Sequence, residues 1–115
     1  MSDEPILIRE TSLFTKAFDK IAGEKERREL YVHLAANPDD GDVIAGSGGL
    51  RKLRWKRPGM GKRGGMRVIY YYFDQFGLIS LLTAYAKSEK EDISKSDVTA
   101  MSRLVEKIKD EWRRS

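Results

Sequence analysis

The sequence predicts a small α+β fold, and three observations carry that expectation. Apolar residues recur at helical spacing near both ends, at Leu13, Phe14, Ala17, Phe18 and Ile21 and again at Val98, Met101, Leu104, Val105, Ile108 and Trp112. Between them, residues 50–86 hold three strand-like runs separated by turn residues. With 115 residues and 40% apolar composition, the chain can bury one modest core, so a single domain over 1–115 is expected.

The elements follow in order. Ile6, Leu7 and Ile8 after Pro5 form a short strand run. Thr11 or Ser12 can cap the first helix, because a side-chain oxygen there satisfies an orphan N–H. Gly23 breaks that helix, and a second fits residues 24–36 with Leu30, Leu34 and Ala35 inward. Asn37-Pro38-Asp39-Asp40-Gly41 is a stop and turn. Leu50 to Trp55 alternates imperfectly between apolar and basic residues, and 66–73 is β-branched and aromatic. Asp74 to Gly77 reads as a hairpin turn, and Leu78 to Ala86 as a central strand covered on both faces. Ser88 with Glu91 has capping-box spacing, and Ser94 or Ser96 can cap the last helix. The order is thus β-α-α-β-β-β-α. The expected architecture is a curved antiparallel sheet, a three-stranded meander with the N-terminal strand beside it. All helices would sit on one face, leaving the other free for a partner.

Charge is the next constraint. Residues 47–73 carry eight Lys or Arg, no Asp or Glu, and six of the ten glycines. The remainder has 14 basic and 18 acidic residues, so the net +4 arises from this one strip. Clustered cations repel unless something negative meets them, which implies a polyanion partner. There is no cysteine, hence no disulfide scaffold, Cys-based zinc site or thiol nucleophile, as befits a reducing compartment. Residues 1–10 are acidic and lack a long apolar stretch, and no window reaches 18 apolar residues. The expectation is a soluble cytoplasmic protein.

Residues two apart in a strand share a face, so Lys52, Arg54 and Lys56 would line one side of the first meander strand. Arg67 opens the next strand, and Lys62 and Arg63 lie on the loop between them. Such cations can hold neighbouring phosphates, and an Arg fork can clamp a phosphoryl group as negative charge builds. Tyr70, Tyr71, Tyr72 and Tyr85 beside them suit single-stranded RNA, although aromatics in strands usually pack. A charge footprint reports a partner more readily than a reaction.

Gly59-Met60-Gly61-Lys62 is not a phosphate loop: Lys56 stands where the first glycine is needed, and Arg63 where Ser or Thr is needed. His33, the only histidine, sits in the second helix with no titratable partner in that helix and reads as structural. Glu89, Glu91 and Asp92 are spaced for capping more than for metal binding. Phosphodiester chemistry here would use Lys, Arg and Tyr, with no metal or other cofactor.

The blocks Asn37-Pro38, Gly41-Asp42-Val43-Ile44, Gly46-Ser47-Gly48-Gly49-Leu50-Arg51-Lys52-Leu53-Arg54, Gly61-Lys62-Arg63-Gly64-Gly65-x-Arg67-Val68-Ile69-Tyr70-Tyr71 and Tyr85-x-Lys87-x-Glu89 together resemble the HigB-type toxins of the RelE/ParE superfamily. The resemblance spans about residues 30–95. It implies a type II toxin–antitoxin system, a ribosome-dependent endoribonuclease that cuts mRNA in the ribosomal A site, and a HigA-type helix-turn-helix antitoxin. Operator DNA would be bound only through that antitoxin. The implied chemistry is attack of the mRNA 2′-OH on its neighbouring phosphate. By resemblance, Arg67 steadies the phosphate, Lys52 and Arg54 form the basic strand pair, and Lys87 follows the last strand. Tyr85 is a candidate acid or base. Arg51, Lys56, Arg57, Lys62 and Arg63 are candidates for gripping mRNA or ribosomal RNA. The tyrosine or histidine that some relatives carry in the C-terminal segment has no counterpart, and Ile93 or Val98 occupies that region. Two further readings stand beside this one: a ParE-like gyrase-poisoning toxin, and a non-catalytic RNA- or ribosome-binding module.

Overall fold

A computed structural model describes residues 5–56, 65–90 and 92–114. Strand β1 (Leu7–Glu10) leads into helices α1 (Ser12–Ile21) and α2 (Glu24–Ala36). Strands β2 (Asp42–Val43), β3 (Arg51–Lys56), β4 (Gly65–Phe73) and β5 (Leu78–Ala86) follow, and α3 (Lys95–Arg114) closes the chain. The α+β class and the element order agree with the sequence reading. Among the described residues the sheet has five strands in the order β1-β5-β4-β3-β2. Two details differ from expectation. Residues 42–43 add a short edge strand against β3, and β1 runs parallel to β5, so the sheet is mixed.

Helix starts follow local chemistry. Thr11, not Ser12, caps α1: its Oγ1 accepts from Phe14 N–H at 3.0 Å and donates to the Leu82 carbonyl at 2.9 Å. Glu26 reaches back to the Gly23 N–H at 3.0 Å and fixes the start of α2. Ser94, not Ser96, accepts from the Asp97 N–H at 3.1 Å at the start of α3. Residues 87–89 form a turn; Glu91, half of the expected capping box, lies outside the described residues. The hairpin after β4 is a 3₁₀ turn over Asp74–Phe76 that Gly77 leaves at φ 62°, a left-handed conformation cheap only for glycine.

The largest departure concerns the sheet faces. Helices α1 and α2 cover one face, burying Phe14, Phe18, Leu30 and Leu34 against Leu53, Val68, Tyr70, Ile79 and Leu81. Helix α3 covers much of the other, packing Met101 and Val105 on Ile69, Phe73, Leu78, Leu82 and Tyr85. The expected free face is therefore half occupied, because alternate residues of β4 and β5 are apolar on both sides. Within the helices, Leu13 is 57% exposed and Leu104 36% exposed, and Ala35 is also exposed, so these three miss the buried stripes assigned to them.

A β-bulge decides which side chains share a face. Ile69 pairs with Thr83 but Tyr70 with Leu81, so Leu82 is an extra residue on β5. Ile79 and Leu81 face α1 and α2, yet beyond the bulge Ala84 takes that face and Tyr85 turns towards α3. The carbonyls of Leu81 and Leu82 accept from the Thr11 N–H and Oγ1, which anchors the irregularity.

Tyr70 holds the turn that precedes β2. It is fully buried, accepts from the Gly41 N–H at 2.8 Å and donates to the Pro38 carbonyl at 2.9 Å. Gly41 is required there, because a Cβ would sit 2.8 Å from Tyr70 Cε1. Tyr70→Phe leaves both backbone groups without this partner and is expected to cost about 1–3 kcal/mol. Urea denaturation measures it, and an unchanged midpoint would contradict this role.

Candidate nucleic-acid interface

The strand periodicity places Lys52, Arg54 and Lys56 on one face of β3, as expected. Across the sheet, Arg54 pairs directly with Arg67 of β4, and Arg67 pairs with Tyr85 of β5. Lys52 pairs with Asp42 on one side and Ile69 on the other. The row Arg54–Arg67–Tyr85 thus crosses three strands on the α3 side, at the end of the sheet beyond the start of that helix.

Two guanidinium side chains directly opposite each other are mutually repulsive in an antiparallel pair. Among the described residues Arg54 has no ion-pair partner, and the hydrogen bond from Arg67 is a long 3.4 Å contact to the Met66 carbonyl. Among the described residues neither guanidinium has an ion-pair partner within bonding distance, although Asp92 lies close enough to Arg67 to attract it; the pair is suited to a bound anion.

Asp92 is an anion beside the row. Its Oδ1 accepts from Lys52 Nζ at 3.2 Å and from the Ile93 N–H at 2.8 Å. The Ile93 N–H and then Lys52 hold this carboxyl below its ordinary range, with a contribution from Arg67. The sequence reading missed Asp92 as a site residue and read its neighbourhood as capping. Forty positions separate it from Lys52, and only closure of the fold brings the two together. A poorly basic carboxylate is a weak proton acceptor at neutral pH, so its evident work is to orient Lys52.

Tyr85 is 5% exposed, and among the described residues its hydroxyl has no hydrogen-bond partner. Burial pushes the phenol pKa up, Asp92 adds to this, and Arg67 opposes it. The group is neutral at physiological pH and keeps its proton. Lys90 Nζ lies 4.9 Å from the ring centroid.

The remaining candidates divide. Lys87 is exposed just after β5, and its backbone N–H donates to the Gly65 carbonyl at 3.1 Å. Lys56 is exposed at the end of β3. Arg51 does not join the row: it faces the opposite side and donates to the Asp39 and Gly41 carbonyls at 3.0 and 2.8 Å. Its guanidinium therefore secures the turn that Tyr70 also holds. Arg57, Lys62 and Arg63 lie outside the described residues. Tyr71 packs on the α3 side under Lys109, whose Nζ is 4.9 Å from its ring centroid. His33, expected to be a structural or surface residue because its helix holds no titratable partner, does have one outside its helix. Nε2 lies 2.7 Å from Asp40 Oδ2, and the ring sits 5.2 Å from Trp55.

Comparison with known proteins places this geometry in context. The family model described as the RelE toxin of the RelE/RelB toxin–antitoxin system matches residues 12–113. The fold resembles a two-site arginine-to-alanine mutant of the Escherichia coli toxin RelE in the free state, with TM-score 0.54 and 15% identity over 76% of this chain and 90% of that one. It also resembles a chain of the intact E. coli RelBE toxin–antitoxin complex, with TM-score 0.51 and 16% identity over 70% and 95% of the two chains. A third similar structure is the RelBE2 toxin–antitoxin complex of Mycobacterium tuberculosis, with TM-score 0.50 and 14% identity over 74% and 94%.

Proposed function

We propose, from the premise that this chain belongs to the RelE toxin family, that it is a HigB-type toxin acting as a ribosome-dependent endoribonuclease in the ribosomal A site. The observation that carries the reading is the Arg54–Arg67–Tyr85 row with Lys52 beside it. Two adjacent guanidinium groups supply what a cleaving phosphate needs, and a buried, protonated phenol lies in register with them.

In this reading the 2′-OH gives up its proton to solvent water as its oxygen attacks the adjacent phosphorus. A 2′-O–P bond forms, the P–O5′ bond breaks, and the products are a 2′,3′-cyclic phosphate and a 5′-OH. Arg67 and Arg54 face the phosphoryl oxygens as their negative charge grows, and Lys52 holds the neighbouring phosphate. Tyr85 gives its proton to the departing 5′-oxygen. Its raised pKa keeps the phenol protonated until the departing oxygen takes the proton, and solvent then restores it. No step calls on a metal.

The partner proposed is a HigA-type helix-turn-helix antitoxin. Support comes from the family's toxin–antitoxin character and from two similar structures being toxin–antitoxin complexes. Among the described residues no helix is long and apolar enough to cross a membrane, and a cytoplasmic place beside ribosomes follows from the proposed substrate.

Induced expression tests the function: growth should stop, and cuts should map within codons of translated messages. Arrest with intact messages would sink the reading, and DNA breaks with an SOS response would favour gyrase poisoning instead. Tyr85→Phe tests the proton donor. Because the hydroxyl has no partner among the described residues, the variant should be at least as stable as the parent while cleaving on the order of 10²-fold more slowly. Full-rate cleavage by Tyr85→Phe would assign Tyr85 to packing alone.

A further inference from the structure

Beside the cationic row lies a groove of about 660 Å³ that the chemistry above leaves empty. One wall is the edge segment 42–46 and the other is the segment from Asp92 into α3; Lys52 and Arg54 stand at the shared rim. The walls are aliphatic where a flat ring would lie, with Val43 and Ile44 on one side and Ile93 and Val98 on the other. Val43 is 56% exposed, on an edge strand.

The groove is braced from behind. Ser47 is buried; its Oγ accepts from the Leu50 N–H at 3.0 Å and donates to the Ile44 carbonyl at 2.5 Å. Ser102 of α3 donates to the Ser47 carbonyl at 2.7 Å. The two walls are thus tied to each other, which preorganises the space between them. Its size falls in the range of about 300–1,000 Å³ typical of small-molecule sites.

The polar lining selects among bases. Asp42 points from β2 towards the same groove, and among the described residues its carboxylate has no hydrogen-bond or ion-pair partner. An ionised carboxylate only accepts, and it accepts best from two adjacent N–H groups. Of the four bases, guanine presents such a pair, its ring N–H and exocyclic amine, on one edge.

We propose that this groove seats the nucleobase next to the phosphate held by Lys52, with guanine preferred through Asp42. The proposal rests on the cationic row being a phosphate-binding surface, and it names the ligand of the adjoining space.

The test needs neither ribosomes nor cleavage. The full chain, labelled at Ile and Val methyl groups, is titrated at millimolar concentration with each ribonucleoside monophosphate, with ribose phosphate and with inorganic phosphate. Methyl resonances of Val43, Ile44, Ile93 and Val98 should shift with the nucleotides and not with ribose phosphate or inorganic phosphate. Guanosine monophosphate should bind on the order of tenfold more tightly than the others, the discrimination expected of a bidentate pair. Asp42→Asn should remove that preference. Ala45→Trp, at an exposed position, should block the methyl shifts while inorganic phosphate still perturbs the row. Equal methyl shifts from ribose phosphate, or no base-dependent shift in the parent, would overturn the groove assignment even if the protein cleaves mRNA. Base-dependent shifts in a protein that cleaves nothing would keep the groove and sink the nuclease.

Discussion

Arg67→Glu is expected to abolish message cleavage, by 10²-fold or more as an order of magnitude, in a protein that folds as well as the parent. Arg67 faces Arg54 across the β3–β4 pair. Reversal replaces a repulsive cross-strand pair with an attractive one, so the melting temperature should hold or rise slightly. On the proposed function the surface suffers twice, because a cation meant for the phosphate is lost and the new carboxylate neutralises Arg54. Thermal denaturation alongside a cleavage assay separates the two effects. A folded, fully toxic Arg67→Glu protein would refute the assignment, and an unfolded one would show that the arginine is structural.

The second large effect lies far from that surface. Arg27→Met is expected to destabilise the fold by about 3 kcal/mol, a fall in melting temperature on the order of 10 °C. The Arg27 side chain is 12% exposed. It pairs with Glu10 of β1 and Asp19 of α1, each at 2.8 Å, and with Glu24 of its own helix. Its guanidinium also lies over the Phe18 ring. Removing it strands the shielded Glu10 carboxylate, which among the described residues keeps Tyr31 and Thr15 as hydrogen-bond donors, at 2.5 and 2.7 Å.

Acid should expose the same network. Burial raises the Glu10 pKa, but hydrogen bonds from Tyr31, Thr15 and Arg27 outweigh burial and hold it below the ordinary carboxylate value. A lowered folded-state pKa stabilises above the unfolded value, roughly pH 4.3. That contribution is lost as pH falls through the folded value. The gap in stability between parent and Arg27→Met should therefore be widest near neutrality and narrow below about pH 4. Chemical denaturation at several pH values reads this directly, and a gap independent of pH would mean that Arg27 acts through packing on Phe18 alone.

Much of this fold was legible because its elements obey local rules. The range of α2 follows from the acid–base run between Gly23 and Asn37-Pro38. The central position of β5 follows from its unbroken apolar run, since a strand covered on both faces has no polar side to show. Alternation along β3 brought Lys52, Arg54 and Lys56 to one side. It also implied, without its being drawn out, that Arg51 must face the other.

What was not legible depends on contacts between distant segments. Strict alternation along β5 would send Tyr85 to the face of Ile79 and Leu81. The bulge at Leu82 reverses this, and no turn residue or glycine marks it. Asp92 meets Lys52 only after α3 folds over the sheet. The two-residue strand Asp42–Val43 is too short to leave a period, and pairing with β3 alone defines it. The placement of α3 on the opposite face from α1 and α2 was hidden because each helix shows the same kind of stripe whichever face receives it.

The central claim is that the Arg54–Arg67–Tyr85 row cuts mRNA on translating ribosomes. Purified protein added to a defined translation reaction, with primer extension and end-group analysis of the message, tests it most directly. The account predicts cuts within the A-site codon that carry a 2′,3′-cyclic phosphate and a 5′-OH, present with translation and absent without it. Ribosome binding that stalls translation while every message stays intact would contradict it.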